Sequence, residues 1–368
     1  MILVTGGAGY IGSHTCVALL EAGARIVVLD NFSNSNPASL ERVQAICGKP
    51  LNIVEGDIRD QSLLERTIAR FGCTAVVHFA GLKSVQDSMS HPMEYYDNNV
   101  VGSHRLLRAM DNCGINRIVF SSSATVYGIP KFLPYTEDHP LSAVNTYGQT
   151  KLVVENMLRD QYASDRNWRI GILRYFNPVG AHESGQIGED PRGVPNNLLP
   201  FVAQVAVGIR KRLSVWGDDY DTPDGTGIRD YIHVMDLAEG HVAALKALNG
   251  PKCFAVNLGT GIGNSVLEVI RAFELASGRI IPYDIKSRRP GDIDAYYAAT
   301  DYAAELLGWK ATRTLETMCA DHWHWQSTNP HGYAQTVIAG QARGTGLKFP
   351  VAPTRSALQF PPGPLPQQ

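Results

Sequence analysis

Tyr147 and Lys151 lie four residues apart in the run Tyr147-Gly148-Gln149-Thr150-Lys151. On a helix this spacing puts a phenol and an ammonium on one face. A cation held beside a phenol favours the phenolate and lowers the tyrosine pKa. Such a tyrosine can take the proton of an alcohol while a hydride leaves the same carbon for an acceptor. The hydroxyl-rich run Ser121-Ser122-Ser123-Ala124-Thr125 stands at the carboxyl end of a strand pattern, where open α/β sheets bind their ligands. One of these hydroxyls can hold the reacting oxygen and relay its proton. The plainer reading is a serine-rich strand end that caps a turn.

The acceptor is indicated at the N-terminus. In Thr5-Gly6-Gly7-Ala8-Gly9-Tyr10-Ile11-Gly12, the glycines Gly6, Gly9 and Gly12 join an apolar run to a helical pattern. Glycines there permit a tight turn and let the backbone approach a pyrophosphate on the helix N-terminus. Asp30 ends the next apolar run, with Asn31 after it. A carboxylate at that place accepts hydrogen bonds from a ribose diol and repels a 2′-phosphate, so NAD is expected rather than NADP. Asp57-Ile58 follows the third run, where an adenine can be held, and Phe79-Ala80-Gly81 follows the fourth. Ordinary strand-end packing is the alternative for both. The positive nicotinamide ring of NAD would lower the Tyr147 pKa further, and Lys151 can hold the nicotinamide ribose.

Positioning these groups requires an alternation of strands and helices. Apolar runs at Ile2–Thr5, Arg25–Asp30, Asn52–Glu55, Ala75–Phe79, Ile118–Ser121 and Ile170–Arg174 alternate with helical patterns, among them Ile11–Glu21, Tyr95–Cys113 and Tyr147–Tyr162. This predicts an α/β fold, a Rossmann-type doubly wound parallel sheet. The second half has Gly/Pro-rich loops at Pro178–Pro195 and Trp216–Gly227, with helices expected near Asn197–Val207, His233–Leu248, Ser265–Ser277 and Thr314–Gln326. It reads as a smaller, irregular substrate lobe, because loops of that length inside a compact protein are usually functional. The expected division is 1–175 for the cofactor domain, 176–330 mainly for substrate with some return of chain to the first domain, and 331–368 as a flexible tail ending in prolines.

Composition excludes several classes. The 368 residues are 44% hydrophobic and 18% charged, with a net charge of -2. This suits a globular protein and gives no basic surface for nucleic acid or membrane. No stretch approaches the ~18 apolar residues of a membrane span, and no leader is apparent. The six cysteines are scattered without a Cys-x-x-Cys pair, as in a reduced, cytoplasmic protein without a metal site. His322-x-His324 does not put two ligands on one helix face and reads as packing.

Longer stretches carry a resemblance. The glycine turn, Ser123, and Tyr147 with Lys151 resemble the extended short-chain dehydrogenase/reductase family. Within that family, His78–Lys83, Tyr95–Val100, Ser121–Gly128, Arg174–Ala181 and Gly227–Val234 are similar to the UDP-galactose 4-epimerases, from Met1 to about Pro330. The resemblance implies tightly bound NAD, UDP-galactose and UDP-glucose as substrates, and a homodimer paired through the helices near Tyr95–Cys113 and Tyr147–Tyr162. It implies Tyr147 as base, Ser123 on the sugar 4-oxygen, and Lys151 as their partner. It places Gly6, Gly9, Tyr10, Ile11, Gly12, Asp30, Asn31, Asp57, Ile58, Phe79, Ala80, Gly81, Lys83, Asn98, Ser121 and Phe176 around the cofactor. Lys83, Asn177, Asn197, Leu198, Trp216, Arg229, Arg289, Asp292 and Tyr296 are placed around the nucleotide sugar. A guanidinium fork suits the diphosphate, and a bulky Tyr296 favours plain hexoses over N-acetyl sugars. Departures are Asn145-Thr146 before the tyrosine and Gln149, where many relatives have a cation.

Rival readings are a nucleotide-sugar 4,6-dehydratase or UDP-glucuronate decarboxylase, a net dehydrogenase, and a non-catalytic NAD-binding regulator. Dehydratases carry carboxylates just after the serine strand, where this chain has Ala124 and Thr125. A regulator need not keep Tyr147, Lys151 and Ser123.

Overall fold

The apolar runs of the first half are strands: β1 (Ile2–Thr5), β2 (Ile26–Asp30), β3 (Asn52–Glu55), β4 (Ala75–His78), β5 (Arg117–Ser123) and β6 (Arg169–Tyr175). The second half adds β7 (Asn177–Val179), β8 (Leu213–Trp216), β9 (Ile228–His233), β10 (Lys252–Leu258), β11 (Gly263–Ser265), β12 (Tyr283–Lys286) and β13 (Ala295–Tyr296). These come from a computed structural model that describes residues 1–289 and 291–333. The helices are α1 (Tyr10–Glu21), α2 (Ala38–Cys47), α3 (Gln61–Phe71), α4 (Val85–Ser90), α5 (Pro92–Tyr95), α6 (Gly102–Asn112), α7 (Thr146–Ser164), α8 (Leu198–Ala206), α9 (Val234–Ala247), α10 (Val266–Ser277), α11 (Asp301–Leu307) and α12 (Leu315–Thr328).

Seven strands form one sheet in the order β10-β6-β5-β4-β1-β2-β3, every pair parallel. Helices cover both faces, which is why its central strands read as unbroken apolar runs. Alternation within a strand still sorts the side chains. Val4, Val28, Val77, Val119 and Val256 enter the core under α1 and α9. Leu3, Val27, Val76, Ile118 and Ile170 enter the core under α3, α6 and α7. Each such buried side chain contributes about 1.5–3 kcal/mol. Local signals set the helix ends. Asp60 accepts from Leu63 N at 2.9 Å ahead of α3, and Ser265 with Glu268 makes a reciprocal capping box at α10.

In the second lobe β9 is the hub, pairing β7 and β13 in parallel and β11 antiparallel. β8 and β12 form a separate parallel pair. α8, α10 and α12 close a third core around Leu199, Phe273 and Met318. The strand β10 lies at sequence position 252–258 yet completes the first sheet beside β6.

Two expectations change. The predicted helix over Tyr95–Cys113 is α5 and α6 joined by a π-helical turn, Tyr96–Val101. The turn carries the buried Asn99, whose amide donates to Leu82 O and accepts from Leu82 N. The tail was expected from His331, but Tyr333 is buried. Its ring packs on Trp325 at 4.8 Å, and its backbone N–H donates to Asp190. The remainder of that predicted tail, 334–368, lies outside the described residues.

Candidate active site

β1 and β4 are neighbours at the point where the strand order reverses, and their carboxyl-end loops meet. A Cβ on Gly6 would fall 2.6 Å from Ala80 N, and one on Gly12 2.3 Å from Gly6 O. Both are backbone clashes, so the turn excludes any side chain at these places and leaves the N-terminus of α1 open to a ligand. Gly9 leads directly into α1, Tyr10 donates to Gly180 O at 2.7 Å, and Ile11 packs against the core. Asp30 ends β2 beside this turn. Its carboxylate accepts from Ala8 N at 2.9 Å, Phe32 N at 2.9 Å and Ser35 Oγ at 2.8 Å. Asn31 donates to Asp57 at 2.9 Å, and the Arg59 guanidinium bonded to Asp57 holds that carboxyl at about 2. Ile58 is buried. Phe79 packs on the His241 ring with centres 4.8 Å apart, and Gly81 lies against Asn99. A glycine cradle with a carboxylate at the next strand end fits a dinucleotide such as NAD.

β5 and α7 bring the reactive groups together. Asn145 caps α7 by accepting from Gly148 N at 2.8 Å, and Ser88 Oγ accepts from Tyr147 N at 3.1 Å. A buried network fixes the two elements to each other. Arg174 on β6 forks onto Glu155 of α7 at 3.0 and 2.7 Å, and Ser122 of β5 donates to Glu155 at 2.6 Å. Lys151 donates to Ser121 O at 2.7 Å, with its ammonium 5.8 Å from the Tyr147 ring centre.

The electrostatics differ from the sequence expectation. Burial pushes the Tyr147 phenol up to about 12, with the neighbouring Ser123 hydroxyl pulling it down. Burial also brings Lys151 down to about 8. For the phenol, loss of hydration is the larger cause, and it works against the shift expected of a neighbouring cation.

The remaining predicted residues fall into groups. Tyr296 donates to Asn177 Oδ1 at 2.9 Å and packs on Phe176. Arg229 lies 4.8 Å over its ring and is ion-paired with Asp292. Arg289 stacks on Trp216 at 4.9 Å. Asn197, the residue before α8, donates to Glu189 at 3.0 Å, and Leu198 opens that helix. Lys83 also pairs with Glu189, at 3.0 Å. Asn98 is half-buried, while its neighbour Asn99 makes the contacts. Sequence reasoning missed Asn99, Glu189 and Asp230. Asp230 is fully buried and accepts from Thr260 N, Gly261 N and Ala298 N, which holds the loop beside Tyr296. It lies inside the quoted Gly227–Val234 run, whereas Glu189 has no periodic or spacing signal. His322 is buried against Phe273 and His324 bonds Glu183 O, so the two rings serve separate contacts.

Comparison with known proteins decides among chemistries that share this geometry. The chain is 58% identical over 333 residues to the UDP-glucose 4-epimerase of Bacillus subtilis (strain 168), covering 90% of this chain and 98% of that one. This chain belongs to the UDP-glucose 4-epimerase family. The wider family model described as GDP-mannose 4,6 dehydratase matches residues 3–322. Among solved structures, the epimerase from Bifidobacterium longum in complex with NAD+ and UDP is similar at a TM-score of 0.88 and 55% identity, over 90% of this chain and 99% of that chain. The epimerase from Stenotrophomonas maltophila, with bound NAD and formylated UDP-arabinopyranose, is similar at a TM-score of 0.88 and 48% identity, over 89% and 98%.

Proposed function

We propose that this epimerase interconverts UDP-galactose and UDP-glucose at C4 through a transient 4-keto sugar, with NAD as its resident cofactor. One observation carries the reading. Ser123, Tyr147 and Lys151 converge at the carboxyl end of β5 in a chain more than half identical to UDP-glucose 4-epimerases. When bound, NAD supplies a reversible two-electron acceptor for C4.

The protein's own groups do the rest. The glycine turn and the α1 N-terminus hold the pyrophosphate, and Asp30 holds the adenosine ribose. Tyr147 takes the proton of the 4-hydroxyl, Ser123 holds the 4-oxygen, and Lys151 anchors the nicotinamide ribose from its place on Ser121 O. Arg229 and Arg289 bind the diphosphate, Trp216 faces the uracil, and Asn177, Asn197 and Lys83 line the sugar and the cofactor side. Release of the sugar ring from these contacts lets it turn and take its electrons back on the other face. The same assignment divides the work between a cofactor half, 1–175 with β10, and a substrate half built on β9.

Incubating the purified protein with UDP-galactose, without added NAD, tests the reading. UDP-glucose should accumulate toward an equilibrium mixture. A 4-keto-6-deoxy product, or no product while NAD is bound, contradicts it.

The assembly we propose is a two-fold dimer through the α5–α7 surface. Most apolar residues there are core, including Leu106, Met110 and Leu158. Met89, Met93, Val101 and Val144 are exposed, and Thr146 Oγ1 touches Met89 Sδ. Light scattering at micromolar concentration should give twice the chain mass, and a monomeric mass refutes the dimer. No helix of the described residues is long and apolar enough to cross a membrane.

A further inference from the structure

Ser123 ends β5 and caps the single 3₁₀ turn Ala124–Val126. Its Oγ accepts two hydrogen bonds, both from Thr125: the backbone N–H at 3.2 Å and the Oγ1 hydroxyl at 3.0 Å. A serine hydroxyl has two lone pairs and one proton. With both lone pairs engaged, only the proton remains to be given. The neighbouring Tyr147 phenol is the group whose ionised form the Ser123 hydroxyl favours. Thr125 is itself set against the helix that carries Tyr147. A Cβ on Gly148, the next residue, would fall 3.0 Å from Thr125 O and 3.3 Å from Thr125 Oγ1. The turn therefore touches Ser123 by hydrogen bonds and packs closely against Gly148, the residue after Tyr147.

We propose that Thr125 is a positioning residue that fills the acceptor sites of Ser123 Oγ, so that Ser123 acts in this site as a proton donor only. The relay expected of the serine run is then closed, because Ser123 has no lone pair free for the sugar's proton. The transfer is direct. The O4–H bond breaks as the Tyr147 Oη–H bond forms, and NAD, when bound, would supply the acceptor for the electron pair of the C4–H bond. Ser123 gives its hydrogen bond to whichever oxygen carries the charge, first the phenolate and then the developing C4 oxygen. Thr125 occupies one of the two positions where dehydratases carry carboxylates, so the same turn has been given to orientation instead of acid–base work.

This inference rests on the assignment of Tyr147 and Ser123, and a four-variant experiment on the holoenzyme separates the two. Thr125→Val keeps the shape and removes the hydroxyl donor. Thr125→Ser keeps the donor. Ser123→Ala and the Ser123→Ala/Thr125→Val double variant complete a cycle. Thr125→Val should lower kcat about 3- to 10-fold, the scale of one hydrogen bond. KM for UDP-galactose and the NAD content should be unchanged. The acid limb of the kcat–pH profile should move to higher pH, and the tyrosinate absorbance that disappears in Tyr147→Phe should titrate at higher pH. Thr125→Ser should restore both readouts, and the double variant should be no slower than Ser123→Ala alone. If Thr125→Val does not fold, Thr125→Ala is read by the same criteria. Full kcat in Thr125→Val, failure of Thr125→Ser to restore it, or a loss that adds fully to that of Ser123→Ala overturns the proposal. Near-normal turnover by Tyr147→Phe would instead overturn the site assignment on which it rests.

Discussion

Replacing Lys151 with Met should change how stability depends on pH by an amount set by burial. In the fold the lysine is brought down from 10.5 to about 8 by loss of hydration. At about 1.36 kcal/mol per pKa unit, the difference corresponds to about 3 kcal/mol. The sign follows from proton counts. Below pH 8 both folded and unfolded chains hold the proton, and the fold carries the whole cost of the buried charge. Between 8 and 10.5 the unfolded chain holds a proton that the folded chain lacks, so stability rises with pH. Above 10.5 both are neutral and the cost is gone. The stability of the unaltered protein relative to Lys151→Met should therefore rise by about 3 kcal/mol from pH 7.5 to 10.5. The lost bond to Ser121 O shifts the offset but not this slope. Urea unfolding of both proteins, stripped of nucleotide and followed at three pH values, measures it directly. A relative stability that changes by less than about 1 kcal/mol across the window would show that Lys151 is not held at a depressed pKa. In the loaded enzyme the same variant should lose most of its kcat, which would make the buried charge a cost retained for function.

Tyr147→Phe keeps the ring and removes the proton acceptor, so kcat should fall at least ~10²-fold while NAD stays bound, as read from the absorbance of the purified protein. Tyr296→Ser removes the ring packed between Phe176 and Arg229, and should raise kcat/KM for UDP-N-acetylglucosamine relative to UDP-glucose; equal use of both sugars by the unaltered protein would sink this gate. Glu155→Ala leaves the buried Arg174 guanidinium without its fork partner and should cost about 3–5 kcal/mol in urea unfolding; a loss below 1 kcal/mol would mean that the network is not what ties β5 to α7.

What was legible in the sequence follows from how far each structural reason reaches along the chain. The central parallel strands announce themselves because both faces are covered, so Ile26–Asp30 reads as one apolar run. Gly6, Gly9 and Gly12 act within one turn, and Tyr147 and Lys151 share one helix, so their spacing carries the meaning. β7, β11 and β13 have only two or three residues, too few for any period, and they exist through β9. β10 carries little signal because only Cys253–Val256 is continuously apolar, between Lys252 and Asn257. Glu189 became meaningful only when folding brought Lys83, more than a hundred positions earlier, to its carboxylate. The pKa expectation for Tyr147 failed for a related reason. The neighbouring cation is visible in the sequence, whereas the depth of burial is set by the whole sheet.

The late arrival of β10 has a consequence for the making of the protein. On the ribosome, β1 to β6 emerge with one edge of the sheet open along β6, and Lys252–Leu258 follow about 80 residues after Tyr175. At ~5–20 residues per second, that edge waits roughly 4–15 s. α9, which shares the core under β1 and β2, is equally late. During this interval the nascent chain presents an unpaired strand edge and an uncovered apolar face, the features that invite pairing with a neighbouring chain. Synthesis that stalls between Tyr175 and Lys252 should therefore leave an aggregating fragment rather than a working nucleotide-binding half. For the same reason a split version of this enzyme should be cut after Leu258, not at the apparent boundary near Tyr175.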